Sequence, residues 1–271
     1  VTGAQWDGDL AVDMLGEVQR YDQPLAADFP ISTLPLTSEE APAIDGSKVV
    51  WYDDRTQGPT DVWGFDFATN QAFQVTAHPV AQFISDVGGG IVAYEDNRNG
   101  TWDIYATRVS TGVEFVVATG PNHQRYPRVW GDYIVYQDET SDYFQSDVYL
   151  YQISSGVTTA LAVAPSYQGR PDIDDGRIVW TDWRTGKWQL AVHEIASGVT
   201  TFRSIDCDDA CRPRIDGHEV VWNGWRSGNY DIYLLDLVSG DERVVYAAPG
   251  DQRFPAISES LIVWQDEATY G

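Results

Sequence analysis

The chain has 271 residues, of which 13% are aromatic, and 11 of these are tryptophans. Its 17 basic and 41 acidic side chains give a net charge of −24, with only two lysines, Lys48 and Lys187. A field of this sign repels nucleic-acid phosphates and anionic membrane surfaces, so we expect neither as a partner. The apolar stretches are no longer than a strand, so no transmembrane segment is expected. The charge suits a saline or extracellular setting.

A repeat of 42 to 44 residues runs through the sequence. Its marker is the aromatic residue at the end of a short apolar run, found at Trp51, Tyr94, Tyr136, Trp180, Trp222 and Trp264. Because the apolar runs are too short for helices, this period is typical of one four-stranded sheet per repeat. Such a sheet cannot bury both faces alone. The sequence therefore predicts an all-β fold, a six-bladed β-propeller of four-stranded antiparallel blades.

The predicted blades follow one another within a single domain, residues 1–271. Five are contiguous, at residues 38–77, 78–119, 120–163, 164–206 and 207–247, and the last joins 248–271 to 1–37. In this last blade Asp9–Gly16 supplies the third strand and Gln23–Pro35 an insertion, so that the two chain ends close the ring. The turn after each third strand carries a residue that tolerates positive φ, namely Asn70, Gly112, Gly156, Gly198 or Gly240.

Two cysteines, Cys207 and Cys211, lie in the connection that leads into the fifth blade. An even number of closely spaced cysteines in a loop favours a local disulfide, which is typical of exported proteins. Two free thiols remain the alternative. A zinc site is disfavoured because two ligands without a nearby histidine are too few. We expect no metal and no cofactor.

The repeat has a recognisable sequence, P-x-I-x-G-x-x-V-V-W-x-D-x-R-x-G-x-x-D-I-Y-x-x-D-x-x-[ST]-G, best seen in Pro213–Gly240 and Ser85–Gly112. It resembles the TolB-like six-bladed propellers and, more closely, the WD40-like or PD40 repeats of bacterial and archaeal secreted or cell-surface proteins. The resemblance covers essentially the whole chain, although the Ser-Pro-Asp-Gly turn usual in that group is replaced by Asp-Gly, Ser-Gly or similar. It implies a propeller fold, export to the periplasm, cell surface or medium, and a binding role. It carries no catalytic motif.

A carboxylate and an arginine bracket the hairpin between the second and third strands in blade after blade. The set comprises Asp53, Arg55 and Asp61, then Asp96, Arg98 and Asp103, then Asp182 and Arg184, and finally Arg226 and Asp231. A planar guanidinium can tie the two strand ends together. Because a catalytic centre is normally singular, the recurrence favours a structural staple.

The connections that enter the innermost strands are the first candidate ligand site. In a propeller these segments converge at one mouth of the central channel, where arginine would concentrate positive potential for a carboxylate, sulfate or peptide terminus. The candidates are Arg125, Arg170, Arg212, Arg253, Gln82, Gln124, Gln168, Gln252 and His123. The alternative is that each arginine pairs with an acid of its own or the next blade.

Aromatic residues in loops that depart from the repeat are the second candidate site. Tyr143 and Phe144 lie in a lengthened hairpin of the third blade. Trp183 and Trp225 lie in the equivalent hairpins of the fourth and fifth blades. Exposed aromatics suit a contact surface for sugar rings or peptide. Packing within the loop or between blades is the alternative.

The sequence thus predicts a secreted, periplasmic or cell-surface binding module for a protein or an extracellular polysaccharide. We expect a monomer. A carbohydrate-active enzyme, a lyase or hydrolase on an anionic glycan, is the first alternative, and an architectural domain of a larger surface protein is the second. We expect no catalysis and assign no catalytic residue, since the four histidines are scattered and none has a nucleophile nearby.

Overall fold

The computed structural model of the protein describes residues 10–12, 18–20, 39–55, 58–140, 145–207, 211–226, 228–259 and 261–267. These residues form β-strands joined by turns. Within these ranges no helix is long and apolar enough to cross a membrane.

The strands alternate with turns at the intervals set by the repeat. Near the N-terminus are β1 (Leu10–Val12) and β2 (Val18–Arg20). The first blade contains β3 (Glu39–Asp45), β4 (Lys48–Asp53), β5 (Asp61–Asp66) and β6 (Gln71–Gln74). The second contains β7 (Gln82–Gly88), β8 (Ile91–Asp96), β9 (Asp103–Arg108) and β10 (Val113–Ala118). The third contains β11 (His123–Trp130), β12 (Tyr133–Glu139), β13 (Ser146–Gln152) and β14 (Val157–Ala162).

The remaining strands continue this order. The fourth blade contains β15 (Gln168–Asp174), β16 (Arg177–Asp182), β17 (Gln189–Glu194) and β18 (Val199–Ser204). The fifth contains β19 (Arg214–Asp216), β20 (Glu219–Trp225), β21 (Tyr230–Asp236) and β22 (Glu242–Tyr246). The last two strands are β23 (Gln252–Ser258) and β24 (Leu261–Asp266).

These strands form the four-stranded antiparallel blades of a β-propeller, which confirms the predicted all-β propeller class, while the count of six blades stays a prediction. Five blades are built from consecutive strands, and a sixth sheet has the order β2-β1-β24-β23. In that sheet Ala11 lies opposite Val263, so β1 takes the place of the third strand, as predicted. The closure of the ring and the single-domain assignment stay predictions. The predicted insertion Gln23–Pro35 lies outside the described residues.

The chain divides into two compact units. One comprises residues 30–171, and the other comprises residues 1–29 with 172–271. In the first unit Val50 of the first blade shares a buried cluster with Tyr94 of the second. In the other unit Val179 of the fourth blade shares one with Trp222 of the fifth. The marker aromatics are at most 5% exposed in all six repeats. Burial of apolar faces between successive blades is therefore the main source of stability within each unit.

Hydrogen bonds at the same position in the repeat link successive blades. Asp45 ends an inner strand, and its Oδ2 accepts from the amide of Gly89 in the next blade at 2.9 Å. Asp174 does the same for Gly217 at 2.6 Å. Both glycines have a φ near +56°, so their amides point out of tight turns that only glycine forms without strain. The carboxylate thus fixes the inner hairpin of one blade against the end of its predecessor.

The turn between the third and fourth strands has the predicted backbone conformation. Its φ lies between 55° and 77° at Asn70, Gly112, Gly156, Gly198 and Gly240. Positive φ at this position matches the twist of a hairpin, which explains why the five repeats carry only Gly or Asn there.

Removal of residues 1–22 should destabilise the protein. This deletion takes away β1 and β2, and the backbone of β24 then becomes an unpaired sheet edge. We expect the melting temperature to fall by about 5 °C or more and aggregation to increase, as measured by differential scanning calorimetry and light scattering. An unchanged thermal transition would show that the N-terminal strands do not belong to the sheet.

Candidate functional site

The recurring Asp-x-Arg set forms ion pairs beside the hairpin between the second and third strands. Arg55 Nε donates to Asp53 at 2.8 Å, and Trp51 Nε1 donates to the same carboxylate at 2.8 Å. Arg184 Nε repeats the contact with Asp182 at 2.8 Å. Burial alone would raise the pKa of Asp53, but the hydrogen bonds from Arg55 hold that pKa below its usual value. The Asp-x-Arg pair is a structural staple in the first, second and fourth blades, whereas Arg226 of the fifth pairs with Asp206 and Glu242.

The glutamines that open the inner strands are buried. At most 2% of each residue is exposed for Gln82, Gln124, Gln168 and Gln252. Gln124 Nε2 donates to the carbonyl oxygen of Asn122 at 3.2 Å and to Asp138 at 3.0 Å. Gln252 Nε2 likewise donates to Asp266 at 3.1 Å, so these two amides tie the connection to the second strand of their own blade. Gln82 and Gln168 donate within their own connections, to Val80 and Ser166. The four glutamines therefore lie inside the blades, where a ligand at the surface would not contact them.

The four predicted arginines occupy two different positions in the connections. Arg125 and Arg253 lie two residues before a proline, whereas Arg170 and Arg212 directly precede one. A residue before proline is normally extended. Here that residue has a φ between 49° and 56° in four connections, at Ala41, Tyr126, Arg170 and Phe254. This left-handed kink costs about 1–3 kcal/mol for a residue other than glycine. Arg170 lies at the kink itself, and Arg125 and Arg253 directly precede it.

In the unit of residues 30–171, a side chain of the preceding blade holds the kink. Glu95 Oε1 accepts from the amide of Tyr126 at 2.8 Å, and its Oε2 accepts from Arg125 Nε at 3.1 Å. Gln137 takes the same role one blade later and accepts from the amide of Arg170 at 2.9 Å. Glu95 and Gln137 each follow the marker aromatic by one residue, so the repeat itself places them against the kink.

Charges of both signs surround Tyr126. The guanidinium of Arg170 lies 4.0 Å from the centroid of the Tyr126 ring, and that of Arg125 lies 5.3 Å from it. Burial raises the pKa of Glu95 to about 7, against the opposing effect of Arg125. Burial also raises the pKa of Glu139, and both arginines oppose that change. Two arginines are therefore matched by two glutamates, and this cluster has no excess positive charge for an anion.

In the other unit the arginines lie on aromatic rings. Arg212 lies 4.7 Å from the ring centroid of Phe254. Arg253 lies 3.9 Å from the ring centroid of Tyr230 and donates to Asp251 at 2.7 Å. Asp251 also accepts from the amide of Tyr230 at 3.1 Å. The carboxylate of Asp251 thus fixes Tyr230 and Arg253 as one block.

A cleft of about 800 Å³ lies beside this block, entirely within the unit that contains residues 172–271. It is bordered by the β16–β17 hairpin, the connection from β18 to β19 and the β20–β21 hairpin. Its lining residues are Trp183, Lys187, Trp188, Ser204, Ile205, Asp206, Cys207, Trp225, Tyr230 and Arg253. The cleft brings together members of both predicted sites, the loop aromatics Trp183 and Trp225 and the connection residue Arg253.

Two aromatic pairs line the cleft. The ring centroids of Trp183 and Trp188 are 4.9 Å apart with the planes tilted by 56°. Those of Trp225 and Tyr230 are also 4.9 Å apart, edge to face at 75°. Trp225 is 48% exposed. The cleft thus presents large, flat apolar surfaces to the solvent.

Trp183 and Trp225 occupy the same position of the repeat, three residues after the marker aromatic. The other blades have Asp54, Asn97, Glu139 and Glu267 there. Packing between blades would favour an apolar residue at this position in every blade. The two tryptophans are therefore departures from the repeat that the fold itself does not require.

Backbone contacts form the floor of the cleft. The amide of Trp225 donates to the carbonyl oxygen of Asp206 at 3.0 Å, and the amide of Ile205 donates to that of Trp188 at 3.4 Å. A Cβ at Gly224 would lie 2.8 Å from the Asp206 carbonyl oxygen. Only glycine allows the fifth blade's second strand to approach the connection so closely.

The predicted disulfide is present beside this floor. Cys207 and Cys211 are bonded, with Cα atoms 5.6 Å apart. Cys207 lines the cleft, whereas Cys211 is buried in the apolar cluster of the fourth and fifth blades. The bond therefore anchors the rim of the cleft to the core.

The charged groups of the cleft differ in their surroundings. Asp206 pairs with Arg226 Nε at 2.9 Å, and Arg226 also pairs with Glu242. Lys187 is exposed, and among the described residues no carboxylate pairs with it. In a protein with a charge of −24, the cleft therefore offers one cation that no carboxylate of the described chain neutralises.

Three further residues were predicted as ligand contacts, Tyr143, Phe144 and His123. Tyr143 and Phe144 are outside the described residues. His123, predicted at the channel mouth, accepts through Nδ1 from the amide of Trp102 at 3.1 Å. Within the part of the chain that the structure describes, no three His, Cys, Asp or Glu side chains lie together in a way that could hold a metal ion.

Glu95 and Lys187 did not emerge as site residues from the sequence alone. The position after the marker aromatic is occupied by Tyr52, Glu95, Gln137, Thr181, Asn223 and Gln265. Glu95 is the one acid in that series, and this departure is a usable signal. Lys187 is one of only two lysines in the chain, and it lies in a hairpin with two tryptophans. This combination is the second usable signal.

Solved structures confirm the fold. TolB from Acinetobacter baumannii matches with a TM-score of 0.61 over 92% of this chain and 65% of that one, at 14% identity. A protein assigned as TolB from Agrobacterium tumefaciens matches with a TM-score of 0.58 over 88% of both chains, at 18% identity. An oligogalacturonate lyase from Vibrio parahaemolyticus matches with a TM-score of 0.57 over 77% of this chain and 65% of that one, at 14% identity.

These likenesses show that the chain has the β-propeller fold of the two TolB structures, which is the fold that the resemblance of the repeat implies. At such identities they show the fold alone. The chain spans about 65% of the length of the Acinetobacter protein. No family model matches the sequence, and no curated protein matches it.

Replacement of Glu95 by glutamine should flatten the pH dependence of stability. The folded pKa of Glu95, about 7, lies above the usual value for a glutamate, so the folded state binds the proton more tightly than the unfolded state. The stability contributed by this group therefore falls as the pH rises from about 4 to 7, by about 3 kcal/mol. Glu95→Gln keeps the acceptor for Tyr126, as Gln137 does for Arg170.

The measurement is chemical denaturation of both proteins between pH 5 and 8. We expect the free energy of unfolding of Glu95→Gln to change less with pH than that of wild type, while the loss of the acceptor for Arg125 lowers it by a pH-independent amount. Glu267→Gln, at an exposed glutamate, is the control and should follow the wild-type profile. Equal pH profiles for Glu95→Gln and wild type would show that Glu95 keeps an ordinary pKa in the fold.

Proposed function

We propose that the protein is an exported binding module that recognises an extracellular polysaccharide or a protein segment in the cleft between the fourth and fifth blades. The observation that supports this most directly is the meeting of two aromatic pairs and two cations in one cleft. Ligand sites are concave and largely apolar, with a few placed polar groups, and commonly measure 300–1,000 Å³. The cleft has these properties.

The cleft suits ligand binding better than the cluster of charges around Tyr126. Around Tyr126 the arginines Arg125 and Arg170 are matched by Glu95 and Glu139, and the kink there serves the fold. In the cleft, Trp225 is about half exposed. Contact energy in recognition surfaces concentrates in such aromatic residues.

Export is supported by the disulfide, because such bonds persist in oxidising compartments. The resemblance of the repeat to secreted and cell-surface propellers agrees with it. A secreted, periplasmic or cell-surface location is therefore part of the proposal, as is a monomeric state.

Two other functions remain open to test. A carbohydrate-active enzyme would act on an anionic glycan and yield unsaturated or reducing ends, and incubation with polyanionic polysaccharides should produce neither. A purely architectural domain would bind no ligand in the cleft. Product formation would support the enzyme, and the absence of any ligand in the cleft would support the architectural domain.

Substitution of Trp225 should weaken binding far more than it lowers stability. Trp225→Ala removes an exposed ring from the cleft, and we expect a 10- to 100-fold loss of affinity, roughly 1.4–2.8 kcal/mol. The change in melting temperature should stay small because the ring is half exposed. The ligand is the best binder in an array of polysaccharides and secreted-protein peptides, and its affinity is measured by calorimetry.

Phe67→Ala is the matched control. Phe67 is an exposed aromatic of the first blade, 44% exposed and outside the cleft, and its loss should leave affinity unchanged. The proposed function is contradicted if Trp225→Ala binds like wild type, or if Phe67→Ala loses as much affinity.

A further inference from the structure

We infer that the ligand of the cleft is a polysaccharide that carries carboxylate groups, a uronate-containing glycan, and that Lys187 contacts a carboxylate of the bound chain. The inference rests on the proposed function, because it names the ligand class of the same cleft.

The aromatic pairs supply the first part of the argument. Trp225 has a half-exposed ring fixed edge to face against Tyr230, and Trp183 and Trp188 form the second pair. A pyranose ring has an apolar C–H face of similar width, and aromatic rings with a polar handle stack well on such amphipathic partners. Two separate pairs fit a chain of sugar rings better than a single small ligand.

The charge at the hairpin supplies the second part. Lys187 lies between Trp183 and Trp188 in the chain and lines the same cleft. No carboxylate among the described residues pairs with it. An ammonium group on a flexible stem is a point charge that meets a carboxylate without a fixed geometry. A neutral glycan would offer Lys187 no carboxylate to pair with.

The surrounding charges restrict the class of ligand further. Asp206 at the cleft is paired with Arg226, and Arg253 is paired with Asp251. Lys187 is therefore the cation of the cleft that pairs with no carboxylate of the described residues, within a protein of charge −24. One such cation suits a chain with one carboxylate per sugar, and the overall field would repel a densely sulfated polymer more strongly.

The size of the cleft agrees with an oligosaccharide. A volume of about 800 Å³ lies at the upper end of the range for ligand sites. Arg253 and Lys187 both line the cleft, so a chain that fills it would contact both cations. An acidic peptide is the alternative occupant.

The test compares two variants that carry the same net charge. Lys187→Ala removes the cation in the cleft, and Lys48→Ala removes the only other lysine, which pairs with Asp66 in the first blade at 3.3 Å. Both variants have a net charge one unit more negative than wild type, so they share any change in long-range repulsion. The ligands are alginate oligosaccharides and the same oligosaccharides after carboxyl reduction, titrated by calorimetry in 0.15 M NaCl.

We expect Lys187→Ala to lose roughly 2- to 5-fold in affinity for the alginate oligosaccharides, which corresponds to a single exposed ion pair. Lys48→Ala should bind them as wild type does. For the carboxyl-reduced oligosaccharides, Lys187→Ala and Lys48→Ala should bind alike, and wild type should bind them more weakly than the acidic form.

Several results would overturn the inference. Equal affinities of Lys187→Ala and Lys48→Ala for alginate oligosaccharides would remove Lys187 from the site. Stronger binding of the carboxyl-reduced form, or binding of an acidic peptide with no binding of either oligosaccharide, would reject the uronate glycan while the binding module stands. Binding of alginate that survives Trp225→Ala unchanged would reject the cleft itself, and with it the proposed function.

Discussion

A four-stranded sheet with two apolar faces is stable only when another sheet covers each face, and this constraint shapes the whole protein. The middle strands show it most clearly, since all six residues of β8 are buried. The blades must therefore lie against one another in a fixed register. Carboxylates at the end of the inner strands, such as Asp45 and Asp174, set that register through the turn amides of the next blade.

The same constraint leaves the residue type free to vary where a side chain does not pack against a neighbouring blade. The position three residues after the marker aromatic is polar in four blades and tryptophan in two, at Trp183 and Trp225. The hairpins can change there without disturbing the cores, whereas the β18–β19 connection contributes Ile205 and Cys211 to a buried cluster. The floor of the cleft still depends on the fold, because Gly224 must let the strand approach the carbonyl of Asp206. The proposed binding surface thus lies on a scaffold that tolerates variation at its loops.

The period, the strand order and the pairing of the chain ends were predictable because they depend on local patterns that recur. The disulfide was predictable for the same reason, since Cys207 and Cys211 are close in sequence. The grouping of the arginines was not. Arg125 meets Glu95, a partner thirty residues earlier, and Arg170 lies on the ring of Tyr126, a residue of the preceding blade. Neither fact can be seen in a single repeat, because each depends on the contact between two blades.

The central claim is that recognition takes place in the cleft of the fourth and fifth blades. Hydrogen–deuterium exchange of the protein, with and without bound alginate oligosaccharide, tests it most directly. The account predicts slower exchange in residues 183–188, 204–207 and 225–230 on binding, and no change in the equivalent hairpin at residues 97–102. Protection confined to the segments around Glu95, Arg125 and Arg170, with the cleft unchanged, would contradict it.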